Sequence, residues 1–95
     1  MNYGEALVGK KHGAKVRRPV WKGIQFVVMM PPLKLPPYSN QEPGPKVNDR
    51  TAKYIGVDTP LDSQPYFAAF TTDGLWQPGW MPSNADILAE DWELA

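Results

Sequence analysis

The sequence predicts an α+β fold: a small antiparallel sheet with an N-terminal helix, a short C-terminal helix and a long proline-rich loop. Three observations lead there. Proline accounts for 11 of 95 residues, more than twice its usual share of ~5 %. Each interior proline costs a helix ~3 kcal/mol, which excludes a helical bundle. Apolar runs from Ile24 to Met30 and on both sides of Asp73-Gly74 read as strands. A capping-box pattern near each end of the chain marks a helix start.

Taken in order, Asn2 to His12 reads as the first helix. Asn2 is the cap, Glu5 closes its box, and Tyr3, Ala6 and Leu7 share one face. Lys10 and Lys11 suit the negative end of the helix dipole, and Gly13 suits the left-handed residue beyond it. Ala14 to Val20 alternates weakly and is expected as an edge strand, since Pro19 forfeits a ladder hydrogen bond. Trp21-Lys22-Gly23 is expected to turn into Ile24 to Met30, a strand whose apolar run, broken only by Gln25, predicts burial on both faces. Pro31 to Pro45 carries six prolines and is expected to be extended and irregular. Lys53 to Asp58 reads as a short strand and Thr59 to Pro65 as a loop. Tyr66 to Thr72 and Leu75 to Trp80 form a predicted hairpin on a two-residue Asp73-Gly74 turn, with Pro78 requiring an edge or a bulge. Ser83 to Asp86 caps a short helix running on through Ile87-Leu88-Ala89, and Trp92 and Leu94 form a last strand or a docked tail. No repeat or internal boundary is visible, so residues 1–95 are read as a single domain.

Composition narrows the function. Lysine plus arginine and aspartate plus glutamate both number 10, giving zero net charge. This speaks against a general DNA or RNA binder and against a polybasic membrane-surface protein. No cysteine is present, so disulfides and thiolate chemistry are excluded, and His12 alone makes no metal site. No signal-peptide pattern opens the sequence, and the longest apolar run, Phe26 to Leu33, is too short to span a bilayer.

Few residues carry chemistry. Asp86 and Glu90 stand one helical turn apart, as an acid–base pair would, but a capping Asp86 and a solvated helix end explain them more simply. The run Pro31-Pro32-Leu33-Lys34-Leu35-Pro36-Pro37 lacks a strict P-x-x-P and reads as a rigid loop rather than a polyproline ligand. Trp21 lies beside Arg17, Arg18 and Lys22. There an indole can stack a base while the cations meet phosphates, or it can staple the turn to the sheet; spacing favours neither.

Two blocks together carry a resemblance. One is Asn2-Tyr3-Gly4-Glu5-Ala6-Leu7 with Gly13-Ala14-Lys15-Val16-Arg17-Arg18-Pro19-Val20-Trp21; the other runs from Gly79-Trp80-Met81-Pro82 through Ser83-Asn84-Ala85-Asp86-Ile87-Leu88-Ala89-Glu90-Asp91-Trp92-Glu93. This pairing resembles the small phage-associated family that contains the second type of Thoeris anti-defence protein. The tail pattern S-x-x-D-I-L-A-x-D-W is its specific part. The segment from Pro31 to Pro65 matches nothing in that pattern.

The resemblance implies a sponge and not an enzyme. Members bind cyclic nucleotide immune signals, chiefly glycocyclic ADP-ribose isomers and in some cases cyclic oligonucleotides, without cleaving them. They assemble as homotetramers with pockets between protomers, need no cofactor, and act in the host bacterial cytoplasm. On this reading the ligand-binding candidates are Trp21 as an aromatic plate, Arg17, Arg18 and Lys22 toward the pyrophosphate, and Ser83, Asn84 and Asp86 toward sugar or base. The alternatives are an interaction module using the proline-rich loop and a small hydrolase or cyclase using Asp86 and Glu90.

Overall fold

The computed structural model describes residues 1–95, which divide into two compact units. One comprises Met1–Met30 and Tyr66–Ala95, the other Pro31–Pro65. The arrangement is α+β, with three helices, a five-stranded antiparallel sheet and a separate two-stranded ladder.

In the first unit, helix α1 (Tyr3–Lys11) starts at the predicted capping box. The Glu5 amide donates to Asn2 Oδ1 at 2.8 Å, and the Asn2 amide to Glu5 Oε1 at 3.0 Å. His12 caps the other end, and Gly13 takes φ 88°, a left-handed conformation that favours glycine. The face expected to carry Tyr3, Ala6 and Leu7 extends one turn further to Lys10, which is fully buried along with Ala6.

The sheet runs β6-β5-β2-β1-β7. Its centre is β2 (Ile24–Met30) against β5 (Tyr66–Thr71), with Val27 opposite Ala69 and Met30 opposite Tyr66. The predicted burial of β2 on both faces is not seen: Val27 is buried, Gln25 is exposed, and the other residues are half-buried. The expected strand Ala14–Val20 shrinks to β1 (Val16–Arg17) and lies inside the sheet. Its outer side is covered by β7 (Glu93–Leu94), with Arg17 opposite Glu93. Pro19 falls beyond the strand, in a turn closed by the Trp21 amide donating to the Arg18 carbonyl at 3.1 Å.

At the other edge β5 turns into β6 (Trp76–Pro78), so Pro78 does sit on an edge strand. The turn is not the expected two-residue Asp-Gly type. Thr72, Asp73 and Gly74 form a three-residue loop in which the Thr71 amide donates to the Leu75 carbonyl at 2.9 Å, and Gly74 supplies φ 81°. Helix α3 (Asn84–Leu88) has its predicted box: the Asp86 amide donates to Ser83 Oγ at 3.1 Å and the Ser83 amide to Asp86 Oδ2 at 3.0 Å. Ala6, Val16, Val27, Ala69 and Trp92 form the core.

In the second unit the proline-rich stretch is more regular than expected. Strand β3 (Leu33–Leu35) pairs with β4 (Leu61–Ser63), inside segments read from sequence as irregular and as loop. Lys34 stands opposite Asp62, a favourable cross-strand charge pair. The segment Lys53–Asp58, expected as a strand, instead holds the end of helix α2 (Asp49–Ile55) and the residues just after it; the helix is capped by Asn48, whose side chain accepts from the Thr51 amide at 2.8 Å. Val47 and Ala52 are its buried apolar residues.

Candidate functional site

An open cleft of about 630 Å³ lies in the first unit. Three segments build it: Lys15 to Trp21 around β1, Ile24 to Phe26 at the start of β2, and Glu93 with Ala95 in and after β7, with Thr72 also on the wall. The strand pleat explains the cationic wall. Val16 points into the core at 0 % exposure, so its neighbours Lys15 and Arg17 both project the other way.

Behind the cleft, Asp86 organises a polar knot. Its Oδ1 accepts from Arg18 Nη1 at 2.9 Å and from the Trp21 indole N–H at 3.1 Å. Its Oδ2 accepts the Ser83 amide, and its backbone carbonyl accepts the Trp92 indole N–H at 2.8 Å. Burial works to raise the Asp86 carboxyl, but hydrogen bonds from the Ser83 amide, Arg18 and Trp21 outweigh it and hold the group below the ordinary carboxylate range. Arg18 also donates from Nε to Asp91 at 2.8 Å, and that bond first of all lowers the Asp91 carboxyl.

Trp21 belongs to both the knot and the cleft. Its ring meets Trp92 edge-on at 5.1 Å and Trp80 at 5.8 Å, while the indole still lines the cleft. The two sequence readings of this residue, plate and staple, are therefore compatible. Around Trp80 and Trp92, the rings that Trp21 meets, lies a second feature that sequence patterning did not announce. Lys10 Nζ, with no carboxylate partner, lies 3.8 Å from the Phe67 ring centroid, 4.9 Å from Tyr3 and 5.0 Å from Trp80. Its one hydrogen-bond contact is with the Tyr3 hydroxyl at 3.4 Å. Burial pushes its pKa down to about 8.

Of the residues singled out from sequence, Arg17, Arg18 and Trp21 meet in the cleft. Asp86 and Ser83 join them from behind, with the Asp86 carboxylate engaged by three internal donors. Lys22 and Asn84 are exposed, and neither lines the cleft. Asp86 and Glu90 do not share a helix face, because α3 ends at Leu88 and Ala89 is already extended. Among the cleft residues that sequence reasoning missed are Lys15, Gln25, Phe26, Thr72 and Glu93. The Lys15-Val16-Arg17 alternation was the available signal for Lys15; the others arrive through strand pairing.

A family model described as the Tad2-like, Thoeris anti-defense 2-like domain matches residues 1–95, the whole chain. No curated protein matches the sequence.

Proposed function

The chain belongs to the Thoeris anti-defense 2-like domain family, and from that premise we propose that it is a sponge for cyclic nucleotide immune signals of the glycocyclic ADP-ribose type. The observation that carries this reading is the meeting of Trp21 with Arg17 on the wall of one open cleft. Such a ligand carries an adenine, ribose hydroxyls and a pyrophosphate. An indole supplies a stacking surface for the base, worth ~1–3 kcal/mol, and guanidinium supplies charge-assisted hydrogen bonds to phosphate. Gln25 and Thr72 add polar partners for hydroxyls. The internal bonds of Asp86 to Arg18 and Trp21 support a positioning role for it over acid–base work.

Sequestration acts by mass action, so the protein needs a dissociation constant below the signal concentration and enough copies to match it. Assembly as a homotetramer fits the outward-facing apolar residues Met81, Ile87 and Leu88, since burying them between copies stabilises the fold. The site of action is the host bacterial cytoplasm, where the signals arise; no helix is long and apolar enough to cross a membrane.

The test is calorimetry against glycocyclic ADP-ribose isomers, with mass spectrometry of the ligand released on heating. Tight binding with an intact ligand is the expected result. Absence of binding, or recovery of an altered product, refutes the sponge. Trp21→Ala is expected to weaken binding at least about tenfold while the oligomer stays assembled in light scattering at low temperature. Unchanged affinity removes Trp21 from the site.

A further inference from the structure

The three cationic side chains on the cleft wall are not equally free. Arg18 is committed: Nε and Nη1 donate to Asp91 and Asp86 at 2.8 and 2.9 Å, and its side chain is only 14 % exposed. Arg17 makes one contact, to Glu93 at 2.8 Å, with both side chains nearly half exposed. Exposed pairs of this kind contribute little, so a phosphate can replace the carboxylate at small cost. Lys15 makes no ion pair; its ammonium rests over the Phe26 ring, 4.6 Å from the centroid, on the same cleft wall. Residues two apart along extended backbone lie ~7 Å apart on one face. Two long, flexible cations at that spacing bracket a diphosphate.

We infer that Lys15 and Arg17 form the phosphate-binding pair of the cleft, so that a pyrophosphate-bearing ligand is gripped by these two side chains and not by Arg18. The inference rests on the sponge reading above and names the groups that read the charged part of the ligand. Exchange of Glu93 for phosphate frees that carboxylate to the solvent, with no further residue of the knot disturbed. Phe26, uncovered when Lys15 turns to the phosphate, becomes available to the ligand as a second aromatic surface beside Trp21.

The experiment is calorimetric titration of the full chain with glycocyclic ADP-ribose at low and high salt, repeated with inorganic pyrophosphate as competitor. Lys15→Met keeps most of the stem and removes the charge; Lys15→Arg keeps the charge. Lys15→Met and Arg17→Gln are each expected to weaken affinity about tenfold and to flatten its salt dependence, with the melting temperature unchanged. Lys15→Arg is expected to restore both affinity and salt dependence. Pyrophosphate competes with the signal in the wild type and about tenfold less well in Lys15→Met. If the wild type and Lys15→Met bind signal and pyrophosphate alike, the assignment is overturned and the sponge stands. If the wild type binds no such signal, the sponge reading fails and the assignment with it.

Discussion

Lys10 shows at the level of one residue how a legible pattern can hide its chemistry. Tyr3, Ala6, Leu7 and Lys10 stand at the spacing of one helix face, and the structure turns that face inward. The sequence shows the apolar stripe, but a lysine in the last turn of a helix reads equally well as a cation at the negative end of the dipole. Its aromatic surroundings come from Phe67, Trp80 and Trp92, which no local pattern places beside it. Burial lowers its pKa from 10.5 to about 8, while the ring faces favour the charged form and soften the cost. Between those two pH values the unfolded chain holds a proton that the folded chain has lost, so this residue makes stability rise with pH across that window. The neighbouring Tyr3 hydroxyl, raised by its own burial and then by the charge of Asp86, stays neutral through most of it. Lys10→Met should therefore be at least as stable as the wild type at pH 7, and the wild-type gain between pH 8 and 10.5 should be absent from it. Melting curves followed by tryptophan fluorescence at several pH values check this. A variant that melts much earlier at pH 7, or keeps the wild-type pH profile, contradicts the account.

Asp86 tilts stability with pH in the same direction, but through a charged form that the fold favours and not one that it penalises. Its folded-state pKa is depressed, so its contribution is complete above the ordinary carboxylate range and is lost as pH falls through the lowered value. Asp86→Asn should melt roughly 5 °C or more below the wild type at pH 7 and lose part of the wild-type acid sensitivity. Equal melting temperatures at neutral pH would mean that the Arg18 and Trp21 bonds contribute nothing to stability.

Elements with local signals were the legible ones. Both capping boxes, the strand Ile24–Met30 and the edge position of Pro78 follow from residues close in sequence. Helix α2 was missed because Tyr54, Ile55 and Val57 look strand-like, although Asn48 three residues before Thr51 was a cap signal in view. Strands β3 and β4 are too short to announce themselves and exist through pairing with each other across a long sequence gap. Likewise β1 became internal only because the chain end returns beside it. The cleft follows the same rule: Arg17, Arg18 and Trp21 are near neighbours, whereas Thr72 and Glu93 reach the cleft through the sheet. Because α3 is so short, its cap should matter. Ser83→Ala should cost ~1 kcal/mol in chemical denaturation, with Ser83→Thr recovering most of it. A Ser83→Ala variant of full stability would show that the bond from the Asp86 amide to Ser83 Oγ contributes nothing to α3.

At the scale of the molecule, the second unit interrupts a hairpin. Met30 and Tyr66, the residues that flank it, face each other at the end of the β2–β5 ladder. Every residue lining the cleft belongs to the first unit, as does the aromatic core around Trp92. The second unit has its own ladder and its own buried residues, Val47 and Ala52. A directly opposed pair is the geometry that a two-residue turn closes, and shortening a connection lowers the entropy lost on closing it. Replacing residues 31–65 by Asn-Gly should thus leave a chain that unfolds cooperatively, with a melting temperature no lower than the parent's. It should still bind glycocyclic ADP-ribose with undiminished affinity if the cleft alone holds the signal. Circular dichroism melts and calorimetry on the shortened chain decide the matter. A cooperative fold that has lost binding would move the proline-rich unit into the ligand site, and loss of cooperative unfolding would show that the sheet needs it to fold.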